Sequence, residues 1–293
     1  MKTPELIAVV PVANALGEGV LWHPHQQAIW WTDIEGQTLY RYHPESQALS
    51  HWSTPDRLTA FGFVEASDWL IASFDRGFAH YRPETGECRW LPASPGVGPG
   101  MRFNDGRVDP RGRFLSATMV ETPALAATEG TLYGVQQDQV QPLFGGLQIP
   151  NALCWSPDGE TLYHADGRRR TIYRYDYDLA TGVPSGRQVF ACTPEPIEPD
   201  GAVTDRHGNL WNAEWEGASV GCYSPAGNRL LTLPLPVSQP TCVAFGGPDL
   251  RWLLVTSARV GLDETDLEAQ PEAGHLFIFA SDTQGLPCDF YRP

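Results

Sequence analysis

Two carboxylates and two amides stand at matching places in this chain. Asn104, Asn151 and Asp200 each precede a glycine by eight residues, at Gly112, Gly159 and Gly208. Glu18 precedes Pro24 by six residues, the interval that also separates Asn104 from Pro110 and Asn151 from Pro157. Brought together, the four side chains form a set of hard oxygen donors. Such a set suits Ca²⁺, Mg²⁺ or Mn²⁺, and its carboxylates also accept Zn²⁺ or Fe²⁺. The competing reading is a polar channel bridged by water, because Asp and Asn at strand starts are also common turn formers. The shared register favours the cation.

Elements that would position these residues are visible as a repeat. QQAIWWTDI, SDWLIASFD, RGRFLSATM, GETLYHADG, GNLWNAEWE and LRWLLVTSA each rise from a small turn into an apolar, mostly aromatic strand. A second apolar run follows each one. Marked at Thr38, Gly77, Thr131, Thr171, Ser219 and His275, these runs recur at steps of 39, 54, 40, 48 and 56 residues. A period of about 40–55 residues with four strands per unit is the signature of a β-propeller. The expectation is an all-β fold: one six-bladed β-propeller domain over residues 1–293, with a metal site in its central channel. A two-sheet sandwich gives no reason for a six-fold recurrence. In a propeller the first strand of each blade lines the channel, so Glu18, Asn104, Asn151 and Asp200 converge at one mouth.

Composition narrows the function classes. The formal net charge is −15, from 35 acids against 20 bases, and no basic stripe occurs, which argues against nucleic acid as a partner. No run of about 18 apolar residues is present, so no membrane span is expected. The opening MKTPELIAVVPVANALGEG lacks a signal-peptide cleavage pattern. Six isolated cysteines without a C-x-x-C pair read as thiols in a reducing compartment, and the cytoplasm is the expected location. Nothing demands more than a monomer. There is no G-x-S-x-G and no P-loop, which leaves serine-hydrolase and nucleotide readings unsupported. The histidines are scattered, with His23 expected to be packed, and the acidic run DETDLEAQPE is expected to be a solvated loop.

Read together, LGEGVLW (16–22), RFNDGRVDPRGRF (102–114), IPNALCWSPDG (149–159), PDGAVTD (199–205) and FGGPDL…ARVGLDETDLEAQPEAGHLF (245–277) resemble the gluconolactonase/regucalcin (senescence marker protein) family. The resemblance runs in order over essentially the whole chain. It implies a six-bladed propeller with one divalent cation in the channel, held by Glu18, Asn151 and Asp200. Ca, Zn, Mn, Mg and Fe(II) all remain open. It also implies that Arg102, Asn104 and Glu121 meet the hydroxyls of a small-molecule sugar lactone. The chain departs from the family pattern at Val20, where Pro is frequent, and at Ala152, where Gly is usual.

The implied reaction is metal-assisted hydrolysis of an aldonolactone to the open aldonic acid. The cation would serve as Lewis acid and Asp200 as general base. The planar fork of Arg102 suits several hydroxyl or carbonyl oxygens, and an ordinary salt bridge is the alternative for it. Glu121 lies in the long interval ATMVETPALAATEGTL, expected to be a lid or an exposed loop. Three other readings compete. One is a Ca-binding regulatory protein of the regucalcin type, another a hydrolase of other esters or phosphoesters, and the third a propeller scaffold with an unoccupied channel.

Overall fold

Several strands of the repeat are buried along their whole length: Ala28–Asp33, Leu70–Phe74, Phe114–Val120 and Pro150–Trp155. A half-buried strand alternates, whereas a continuous buried run has both faces covered. Fully covered inner strands therefore imply sheets stacked face to face. The computed structural model describes residues 2–293 and has that arrangement. Six four-stranded antiparallel sheets form the six blades of a β-propeller.

The innermost strands are Gly17–His23, Leu58–Phe63, Met101–Val108, Pro150–Trp155, Glu198–Thr204 and Pro240–Gly246. Five blades run outward from them in chain order. The sixth is completed by the N-terminal strand Glu5–Val10, which pairs antiparallel with Leu276–Ala280 and fastens the two ends of the chain together. The sequence repeat names the second and third strands of every blade; this closing strand lies outside it.

Apolar clusters fill the gaps between neighbouring blades. Trp30 and Leu21 of blade 1 pack with Phe61 and Phe74 of blade 2, and Trp211 of blade 5 packs with Phe245 and Phe277 of blade 6. Trp31 and Trp211 are fully buried. Truncating such a side chain to Ala costs about 3–5 kcal/mol, so the blades form a rigid ring.

Each innermost strand also shifts register against its neighbour near its start, as between Glu18 and Leu21, Phe103 and Gly106, Asn151 and Cys154, and Pro199 and Ala202. Such bulges release a side chain from the ladder and re-aim it. The four polar residues sit at these irregularities. Blades 2 and 6 have Thr59 and Thr241 there instead. Thr59 turns its hydroxyl to the Ser73 carbonyl at 3.1 Å, and Thr241 bonds Gly17 and Thr256. Only four of the six positions therefore offer oxygen to the channel.

The remaining expectations divide. His23 is buried against Phe63 and Phe290, and burial pushes it down to about 4, so it is a packed neutral ring. The acidic run is not a plain loop. Glu264–Ala269 form a short, exposed helix, because Asp263 accepts the Asp266 N–H at 2.9 Å and Asp266 answers in a capping box. None of the six cysteines forms a disulfide, and among the described residues no helix is long and apolar enough to cross a membrane.

Gly19 and Ala152 follow Glu18 and Asn151, and both hold φ near +60°. Left-handed backbone is strained for any residue with a Cβ. At Ala152 burial of its methyl between blades 4 and 5 offsets the strain. At Gly19 a Cβ would meet Phe61 and Thr32 at 3.9 Å, an ordinary contact distance, so there is room and the backbone conformation is the obstacle. Gly19→Ala should therefore destabilise the protein by about 1 kcal/mol through backbone strain alone, read as a shift in denaturant midpoint at constant slope.

Candidate metal centre and substrate cavity

All six side chains singled out in the sequence line one cavity of about 350 Å³, at the mouth where the innermost strands begin. Arg102 and Asn104 project from blade 3, Asn151 from blade 4, Asp200 from blade 5 and Glu18 from blade 1. A hydrogen-bond chain fixes their orientation. Arg102 Nη1 donates to Asn104 Oδ1 at 2.6 Å, and Asn104 Nδ2 donates to Asn151 Oδ1 at 2.7 Å and to the Pro150 carbonyl at 2.9 Å. Arg102 thus sets the Asn104 amide, which in turn aims the oxygen of Asn151.

On the opposite side Glu18 and Asp200 face the same cavity, near enough for the charge of Glu18 to act on Asp200. Glu18 Oε2 accepts the Gly19 N–H at 3.0 Å, and Asp200 Oδ1 accepts the Gly201 N–H at 2.9 Å. Burial, joined by the negative charge of Asp105, pushes Glu18 up to about 8. Burial and the charge of Glu18 hold Asp200 well above the usual carboxylate range. Asp105 lies close below, its oxygens taking the Gly106 and Leu153 N–H groups at 2.8 and 2.9 Å.

Such a pair carries two negative charges only if something positive joins it. Two carboxylates and the Asn151 amide oxygen are hard donors on rigid strands, a set that fits a divalent cation. Among the described residues no group of three His, Cys, Asp or Glu side chains is placed to hold a metal ion. A cation here therefore needs the amide oxygen as its third protein donor.

Residues 121–129 form an exposed loop, as expected, but Glu121 within it is held by ion pairs. Arg57 grips it with Nη1 to Oε1 at 2.7 Å and Nη2 to Oε2 at 3.1 Å, and Arg102 Nε reaches Oε1 at 3.1 Å. Arg57 is itself braced by Asp75 at 2.6 Å and Glu35 at 2.9 Å. Arg102 thus makes an ordinary ion pair and lines the cavity as well. The sequence reading missed Arg57 because blade 2 has neither a glycine eight residues nor a proline six residues beyond Thr59. It also missed Arg168, Glu198 and Trp215, which complete the rim, and their loops and strand ends carry no recurring signal.

The raised value of Glu18 has a consequence for stability. Metal-free native protein holds this proton more tightly than the unfolded chain, so that stabilisation is complete below about pH 4.5 and lost as pH rises through about 8. Chelator-stripped protein should therefore melt at falling temperature across that window. Adding a divalent cation should restore more stability at the alkaline end than at the acid end, and Glu18→Gln should flatten the profile.

Known proteins resemble this chain over nearly its whole length. Residues 16–259 match the model of the SMP-30/Gluconolactonase/LRE-like region. The chain is 36% identical to pentonolactonase XacC of Haloferax volcanii, covering 95% of both chains. It is 33% identical to L-arabinolactonase of Azospirillum brasilense over 93% of this chain and 91% of that one. Among solved structures, a calcium-binding protein, regucalcin, from Agrobacterium tumefaciens superposes with a TM-score of 0.91. That pair is 31% identical, covering 99% of this chain and 98% of the other. The chain belongs to the SMP-30/gluconolactonase/regucalcin family.

Proposed function

We propose that the protein is a metal-dependent sugar lactonase, hydrolysing an aldonolactone to its open aldonic acid. The observation that carries this reading is the meeting, in one cavity, of the Glu18–Asp200 carboxyl pair, the Asn151 oxygen and the Arg102–Asn104 polar wall. The names of the pentonolactonase and L-arabinolactonase relatives support a sugar lactone as substrate, and that of the regucalcin structure supports a cation.

Glu18, Asn151 and Asp200 would hold the metal. When bound, a divalent cation supplies Lewis acidity at the ester carbonyl and compensates the paired carboxylates. Arg102 donates to a lactone hydroxyl and Asn104, whose amide hydrogens are taken by Asn151 and Pro150, accepts one through Oδ1, so that together they hold the ring in one orientation. Glu121 accepts a further hydroxyl while Arg57 keeps it in place. Asp200 Oδ2, the oxygen not engaged by the Gly201 N–H, accepts a proton from the attacking water as that water bonds to the carbonyl carbon. The ring C–O bond then breaks, the ring oxygen takes a proton to become a hydroxyl, and the product leaves as a carboxylate with one net proton released. Trp215, Met119 and Ile149 supply apolar wall against the C–H faces of the sugar.

Proton release from fresh aldonolactones, corrected for spontaneous opening, tests the reading. Stripped protein should be slow and cation-restored protein fast on one or two sugars. Asp200→Ala should lower kcat by about 10²–10⁴-fold with cooperative melting retained. Cation binding without acceleration of any lactone would favour a regulatory binding protein instead. Arg57→Met should reduce kcat/KM about 10-fold by freeing Glu121 and Arg102, with partial recovery in Arg57→Lys. Unaltered kinetics would remove Arg57 from the positioning set.

A further inference from the structure

The opposite end of the channel holds a second cavity of about 280 Å³. The innermost strands finish there, and the C-terminal segment crosses beneath them. That segment is tied down by Gly285 N to the Leu250 carbonyl at 2.8 Å, Cys288 Sγ to the Trp22 carbonyl at 3.2 Å, and Tyr291 N to the Phe63 carbonyl at 2.7 Å. Leu286, Pro287 and Asp289 form the outer rim. The walls are largely carbon and sulfur, from Leu21, Trp22, Cys154, Trp155, Val203 and Phe245.

Arg107 lines this cavity, three residues beyond Asn104 on the same strand. Its guanidinium is poorly satisfied. The buried Nε has no hydrogen-bond partner, and Nη2 makes one long contact, to Cys242 Sγ at 3.7 Å. Asp105, a carboxylate whose charge reaches it, directs its oxygens to the Gly106 and Leu153 N–H groups. Cys154, Cys242 and Cys288 around it stay protonated because burial pushes their thiols up, Cys288 to about 12, so they bring no negative charge. A buried donor without an acceptor costs about 1–3 kcal/mol, more when charged. The single acid lining the cavity, Asp289, stands exposed at the rim and forms no ion pair with Arg107.

We propose that this cavity binds a small organic monocarboxylate, its carboxylate on the Arg107 guanidinium and its apolar body against the walls. Guanidinium and carboxylate match as a two-pronged pair, and a largely apolar enclosure strengthens it. The polar sugar acid expected at the other mouth does not suit these walls. This site is independent of the lactonase reading, since its occupancy is measured without turnover.

Calorimetric titration of the whole protein with benzoate, benzamide and gluconate at pH 6 and fixed chloride is the test. Saturable one-to-one binding of benzoate, absent with benzamide, lost in Arg107→Met and weakened about 10-fold in Arg107→Lys, is the expected result. No saturable binding of benzoate, equal binding of benzamide, or undiminished binding by Arg107→Met overturns the proposal. Gluconate binding as tightly as benzoate does so too, because it denies the apolar body a role. If Arg107→Met fails to fold, undiminished binding by Arg107→Lys is the overturning result.

Discussion

The repulsion between Glu18 and Asp200 is the constraint around which the channel is arranged. Both carboxyls face a confined space, with Asp105 adding a third negative group below. In water such groups would turn apart. Here backbone N–H groups of Gly19 and Gly201 pin them, and each blade's strand start is locked by packing against the next. The fold thus stores an electrostatic cost that protonation relieves in the metal-free protein and that a divalent cation would relieve in the working one.

The propeller meets this cost through its closure. The pairing of Glu5–Val10 with Leu276–Ala280 joins both ends of the chain in one blade, so the ring cannot open without breaking that sheet. Packing between blades is aromatic and continuous, which resists small displacements of the strand starts. Bulges then supply what a regular ladder cannot, a side chain aimed along the channel instead of across the sheet. The Arg57–Glu121–Arg102 network extends the same rigidity to the substrate wall.

Much of this was legible in the sequence, and the reason is geometric. A propeller repeats its turns, so Gly112, Gly159 and Gly208 act as rulers from which the register of Asn104, Asn151 and Asp200 can be read. The repeat also marked the second and third strand of each blade. Legibility failed where the ruler was missing. Blade 2 lacks the landmarks, so Arg57 went unnoticed although it grips Glu121. Arg168 lies in a short turn and Trp215 at a strand end, and both depend on how neighbouring blades meet, which no local pattern encodes. The helix at Glu264–Ala269 was hidden because its cap is a pair of acids inside an acidic run.

Anomalous diffraction from crystals grown with Mn²⁺ tests the central claim most directly. The account predicts one strong peak per chain in the channel, about 2.2 Å from a carboxylate oxygen of Glu18, a carboxylate oxygen of Asp200 and the amide oxygen of Asn151. Loss of that peak in Glu18→Gln or Asp200→Ala would accompany it. A channel without a peak, or a cation bound elsewhere and retained in both variants, would contradict it.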